Sequence, residues 1–233
     1  MEIQIGVSKI NKYASAESGD TLEVIERPNG GLSVVLADGQ RSGKSAKRIS
    51  NMVVRKVISL LAEGVRDGPA ARAASDYLYS MKSGKVQSTL NIISIDLESN
   101  TLVITRNNPA PIYIVQGKEI ELFDEDSQSV GIYRTTRPVI HEVELKLDLI
   151  AVAFTDGLIH AGTREGKCID IPAVLDELIS AKSSSQEIAD SLLMKALALD
   201  RNRPVDDISV VVIRTLESRG DDVRRMWIRL PIQ

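Results

Sequence analysis

The chain has 233 residues, of which 43% are hydrophobic and 26% charged, the composition of an ordinary globular protein with one substantial core, not of a disordered or collagen-like chain. A net charge of −3 gives no general reason to bind nucleic acid, and a single cysteine excludes a disulfide framework or a thiolate-cage metal site. The apolar stretches Leu149 to Phe154 and Ile208 to Ile213 fall far short of a membrane span, and Met1-Glu2-Ile3-Gln4 does not open a signal peptide, so a cytoplasmic protein is expected.

In chain order, Ile3 to Val7, Thr21 to Glu26 and Leu32 to Ala37 read as strands, with Pro28-Asn29-Gly30-Gly31 as the hairpin turn between the last two. Ile49, Val53, Val57 and Leu60 recur at helical spacing. Gly64 and Gly68-Pro69 close that helix and open an alanine-rich one that runs to about Met81. Period-two patterning follows in Leu90 to Leu97, Leu102 to Ile104 and Ile112 to Val115, with turns at Glu98-Ser99-Asn100 and Gln116-Gly117-Lys118. Val139 to Leu145 and Leu149 to Phe154 extend this antiparallel set. Helices near Ala173 to Ser180 and Ser185 to Ala198 precede a last strand from Asp207 to Ile213. The expected fold is α+β: a four-layer αββα sandwich of two antiparallel sheets flanked by helix pairs. Residues 1–216 would form one domain. The tail, 217–233, alternates Val223, Met226, Ile228 and Leu230 and is a candidate extra edge strand.

The acids stand at strand ends. Leu32 to Ala37 runs into Asp38-Gly39, Leu149 to Phe154 into Thr155-Asp156-Gly157, and Asp206-Asp207 opens the last strand. Carboxylates brought together at such ends repel one another unless a counter-ion joins them. Hard divalent cations suit an all-oxygen donor set, and glycine after aspartate lets the backbone turn sharply. Any one Asp-Gly is more often a plain turn. Three acids abutting apolar strands point to a site.

The ordered set Ser18-Gly19-Asp20, Ala37-Asp38-Gly39 with Ser42-Gly43-Lys44, Thr105 to Pro111, Phe154 to Leu158 and Pro204 to Ser209 resembles the metal-dependent protein phosphatases of the 2C type. Within them it resembles the bacterial stage II sporulation protein E (SpoIIE) branch. The resemblance implies hydrolysis of protein phosphoserine or phosphothreonine with two or more Mn²⁺ or Mg²⁺ ions. It makes Asp38 the bridging ligand, Gly39 a carbonyl ligand, and Asp156 and Asp206 the remaining acids. Asp20 takes a weaker place at the second metal, and Asp207 a supporting or turn role. Two such ions lower the pKa of a water held between them, so that it can attack phosphorus in line. Gln40 stands where eukaryotic relatives carry a histidine that protonates the leaving group. Thr105-Arg106-Asn107-Asn108 replaces the branch's usual Asn-Ala-Gly-His and is expected to shape structure. The chain also resembles the stand-alone phosphatase that resets the stressosome in the sigma-B pathway. That likeness implies a phosphorylated STAS-domain protein as substrate and partner.

Two other readings compete. Gly39-Gln40-Arg41-Ser42-Gly43-Lys44-Ser45 suggests a P-loop, but only three residues separate Gly39 from Gly43 where four are needed, and the hairpin-rich middle is wrong for a parallel nucleotide-binding sheet. A pseudophosphatase that binds without hydrolysing is the other. His141 and His160 read as structural or surface residues, with His160 the one nearest the expected site, whereas Cys168 reads as a packing residue and Trp227 as an edge-packing anchor.

Overall fold

The computed structural model describes residues 1–218, 220–221 and 223–231. Three strands open the chain: β1 (Glu2–Ile10), β2 (Asp20–Glu26) and β3 (Leu32–Asp38). Helices α1 (Gly43–Ala62) and α2 (Asp67–Lys82) follow, then β4 (Leu90–Asp96), β5 (Thr101–Asn107), β6 (Ile112–Gln116), β7 (Glu119–Phe123), β8 (Val139–Glu144) and β9 (Leu149–Phe154). A one-turn helix α3 (Gly157–His160) leads to α4 (Ile171–Ser180), α5 (Ser185–Leu199) and β10 (Ile208–Leu216). One sheet has the order β1-β10-β9-β6-β7 and the other β2-β3-β4-β5-β8; every pairing is antiparallel. Among the described residues no helix is long and apolar enough to cross a membrane.

Strand alternation divides the side chains into three cores, because successive residues face opposite sides of a sheet. Val34, Leu36, Ile93, Ile95, Val211 and Ile213 fill the space between the sheets. Val35, Ala37 and Ile92 turn the other way onto Val53, Val57 and Leu61 of α1 and the alanines of α2. Val152, Phe154, Val210 and Val212 meet Leu175, Ile188 and Leu192 of α4 and α5. The layers are therefore helix pair, sheet, sheet, helix pair, as expected. β9 and β10 are covered on both faces, which is why they read as continuous apolar runs.

Two features differ from the sequence expectation. β7, unassigned in the sequence, pairs with β6 from Ile112↔Phe123 to Gln116↔Glu119 and forms the edge of its sheet. The edge strand expected in the tail does not form: residues 223–231 carry no strand, and Met226, Trp227, Ile228 and Leu230 are exposed. Asp222, where that strand was to begin, lies outside the described residues.

Candidate metal centre

Antiparallel pairing gathers the acids at one end of the sandwich. Asp20, the first residue of β2, lies directly opposite Asp38, the last of β3. In the other sheet Phe154 pairs with Val210, so the end of β9 and the start of β10 point the same way and carry Asp156 and Asp206 beyond them. Hydrogen bonds join the two ends: Thr155 Oγ1 donates to Asp20 Oδ2 at 3.0 Å and Ser209 Oγ to the same oxygen at 2.5 Å.

Two glycines permit this approach. A Cβ on Gly39 would lie 2.0 Å from the Ala46 carbonyl oxygen, and one on Gly157 would lie 2.0 Å from the Asp207 carbonyl oxygen. Only hydrogen in those places lets α1 close on the turn after β3, and lets the Asp156 turn lie against the Asp206-Asp207 segment. Around Gly39, the Asp38 carbonyl accepts from Thr89 N (2.9 Å) and Ser88 Oγ (2.6 Å), and Gln40 N donates to Gln87 O (3.0 Å). Among the described residues nothing donates to the Gly39 carbonyl, which leaves that oxygen free for a ligand.

Burial, followed by the charges of Asp20, Asp156 and Asp206, pushes the Asp38 carboxyl up to about 9. Burial also raises Asp156, against the pull of His160, whose Nδ1 stands 3.7 Å from Asp156 Oδ2. Asp20 is fully buried and raised by desolvation, and its Oδ1 has no hydrogen-bond partner among the described residues. Lys9 and Lys47 Nζ each sit 2.6 Å from the Asp20 backbone carbonyl, partial compensation for the acids around them. The described residues do not close any three Asp, Glu, His or Cys side chains into a ready cage. What they present is an open group of carboxylates, compensated only in part, and an orphaned buried oxygen. A hard divalent cation fits that donor set.

The structure brings together Asp20, Asp38, Gly39, Asp156 and Asp206. Asp207 stands apart in role, because its Oδ1 accepts from Lys12 N (2.9 Å) and its Oδ2 from Gly19 N (2.8 Å), which ties two loops to the start of β10. Thr155, Ser209, Lys9 and Lys47 were not singled out in the sequence as partners of Asp20. The two hydroxyls lie inside the motifs quoted there; the lysines carry no sequence signal. Thr105 to Asn108 is structural, as expected: Arg106 is fully buried with Nη1 on Asn108 O (2.8 Å), and Asn108 Nδ2 donates to Phe154 O (3.3 Å), two residues before Asp156.

A family model for stage II sporulation protein E (SpoIIE) matches residues 28–216. The chain belongs to the SpoIIE family. It is 21% identical over 230 residues to stage II sporulation protein E of Bacillus subtilis, an alignment that covers 99% of this chain and 27% of the relative. The chain thus spans about a quarter of that relative's length. The structure of the PP2C phosphatase domain of Bacillus subtilis SpoIIE, with a fragment of its regulatory domain, superposes with a TM-score of 0.79 at 21% identity, over 92% of this chain and 63% of that one. RsbX in complex with magnesium superposes with a TM-score of 0.69 at 18% identity, over 91% and 94% of the two chains. At these identities the likeness establishes a PP2C phosphatase fold.

Proposed function

We propose that this SpoIIE-family chain is a metal-dependent phosphatase of protein phosphoserine or phosphothreonine, with residues 1–216 as its single catalytic domain. The carrying observation is the convergence of Asp20 and Asp38 from one sheet with Asp156 and Asp206 from the other. Burial, with the charges of the neighbouring acids behind it, raises Asp38 to about 9, and Lys9 and His160 offset the acids only in part. That the first and last strands pair, from Glu2↔Leu216 to Ile10↔Ile208, supports a single folding unit.

Asp38, the Gly39 carbonyl, Asp156 and Asp206 would hold two or more Mn²⁺ or Mg²⁺ ions, with Asp20 contributing from behind. Bound there, such ions supply a water of lowered pKa and offset the charge of the phosphoryl group. The chain's own part is positioning. Thr155 and Ser209 fix Asp20, the Gly157 turn aims Asp156, and α1 packed on Gly39 fixes Asp38. Rigid placement of charge is the main catalytic resource in phosphoryl transfer.

We infer a STAS-domain phosphoprotein as substrate, in a cytoplasmic partner-switching pathway. The likeness to RsbX and the stand-alone resemblance of the sequence support that reading. The experiment compares initial rates of phosphate release, with Mn²⁺, from a kinase-phosphorylated STAS protein and from unrelated phosphopeptides. Metal-dependent release that disappears in a folded Asp38→Ala variant is expected, with a preference of about tenfold or more for the STAS protein. Retained activity in Asp38→Ala sinks the catalytic assignment. Equal rates on the two substrates reject STAS docking. No release from any phosphoester would leave the pseudophosphatase.

A further inference from the structure

The outer face of α1 carries a second feature that the carboxylate centre does not use. α1 contains Lys44, Lys47, Arg48, Arg55 and Lys56 and not one Asp or Glu in its 20 residues, although the whole chain has a net charge of −3. Arg48, Arg55 and Lys56, together with Tyr77 and Lys82 of α2, line a groove of about 530 Å³. A second hollow of about 270 Å³ shares Arg48 and Lys82 with the first and adds Gln40 and Arg41. The two hollows thus adjoin at Arg48 and Lys82, and the second is lined by Gln40, the residue after Gly39.

Five cations and no carboxylate line this path: Arg41, Arg48, Arg55, Lys56 and Lys82. Among the described residues none of the five forms an ion pair or donates a side-chain hydrogen bond. Lys56 only rests over the Tyr77 ring, 6.0 Å from its centroid. Like charges lined up without counter-ions repel one another and contribute nothing to folding; they raise the local concentration of anions. Guanidinium groups also match carboxylates in bidentate geometry.

We propose that this groove docks an acidic segment of the phosphoprotein substrate, next to the phosphorylated residue, and so selects substrates by charge. The proposal rests on the phosphatase reading for its choice of partner. A peptide is favoured over nucleic acid because the five unpaired cations form one short stretch on a chain of net charge −3, and because Gln40, next to Gly39 in the chain, lines the same stretch.

The test uses two synthetic phosphoserine peptides, alike around the phosphoserine but differing in a flanking run of Asp and Glu that becomes Ser and Gln in the second. Wild type with Mn²⁺ should favour the acidic peptide by about tenfold in kcat/KM at low salt, and added salt should erode the preference. Arg48→Glu/Arg55→Glu should abolish the preference while p-nitrophenyl phosphate is hydrolysed at the wild-type rate. Arg48→Gln/Arg55→Gln, a milder change at the same exposed positions, should lower it in the same direction. Equal kcat/KM for the two peptides, or a preference that survives both variants, overturns the proposal. If p-nitrophenyl phosphate and both peptides are left intact, the phosphatase reading fails instead. Anisotropy of the fluorescein-labelled acidic peptide then decides docking: binding lost in the double variant supports it. No binding, or tighter binding of an oligonucleotide of equal charge or of anionic phospholipid vesicles, overturns it.

Discussion

Asp38 is the residue on which the proposed chemistry and the stability of this fold conflict. It faces Asp20 across the β2–β3 pair, an arrangement of like charges that destabilises a sheet. With its carboxyl pushed up to about 9 in the fold and about 4 in the unfolded chain, the metal-free native state holds a proton that the unfolded state releases anywhere between those values. The contribution of Asp38 to metal-free stability is therefore full below about pH 4 and is lost as pH rises toward 9. Asp38→Asn should remove that slope and stabilise the metal-free protein by about 1–3 kcal/mol at pH 8. Urea unfolding in chelator across a pH series measures this, and parallel curves for the two proteins would refute it. The placement of Asp38, Asp156 and Asp206 at strand ends was legible in the sequence because acids abutting long apolar strands are costly and therefore informative. The role of Thr155 and Ser209 was not, since a hydroxyl near a strand end is an ordinary residue until its partner, Asp20 from a distant strand, is known.

Among the elements, α1 links the sheet to the site. Its first turns rest on Gly39, Lys47 reaches the Asp20 carbonyl, and Ser50 Oγ donates to Gly19 O at 2.5 Å. A methyl group on Gly39 would meet backbone, which cannot rotate away, so Gly39→Ala should displace α1 or the turn. A loss of about 1–3 kcal/mol in urea unfolding, with a larger proportional loss of Mn²⁺-dependent hydrolysis, is the expected result. Wild-type stability and activity in Gly39→Ala would refute this coupling of helix to site. The same scale explains which elements could be read. β3, β9 and β10 are covered on both faces and announced themselves as apolar runs. β7 is a sheet edge with Glu119, Glu121 and Leu122 exposed, so little burial marks it. The tail misled for the converse reason: Val223, Met226, Ile228 and Leu230 have the pattern of a strand, yet all four are exposed.

At the scale of the whole molecule, the sandwich holds two strand ends from each sheet, with their acids, at one edge. The αββα architecture followed from counting hairpins and helix pairs, whereas the bonds between Asp20 and the opposite sheet depend on how the two sheets stack, which no local pattern encodes. The central claim is that these four acids form one divalent-cation centre. Isothermal titration calorimetry of Mn²⁺ into the metal-free protein near pH 7, repeated in buffers of different ionisation enthalpy, tests it most directly. A carboxyl held near 9 is protonated at that pH and must give up its proton to a cation, so binding should release protons, and Asp38→Asn should bind far more weakly and release fewer. Unchanged Mn²⁺ affinity and proton release in folded Asp38→Asn, or no Mn²⁺ binding by the wild type at all, would contradict it.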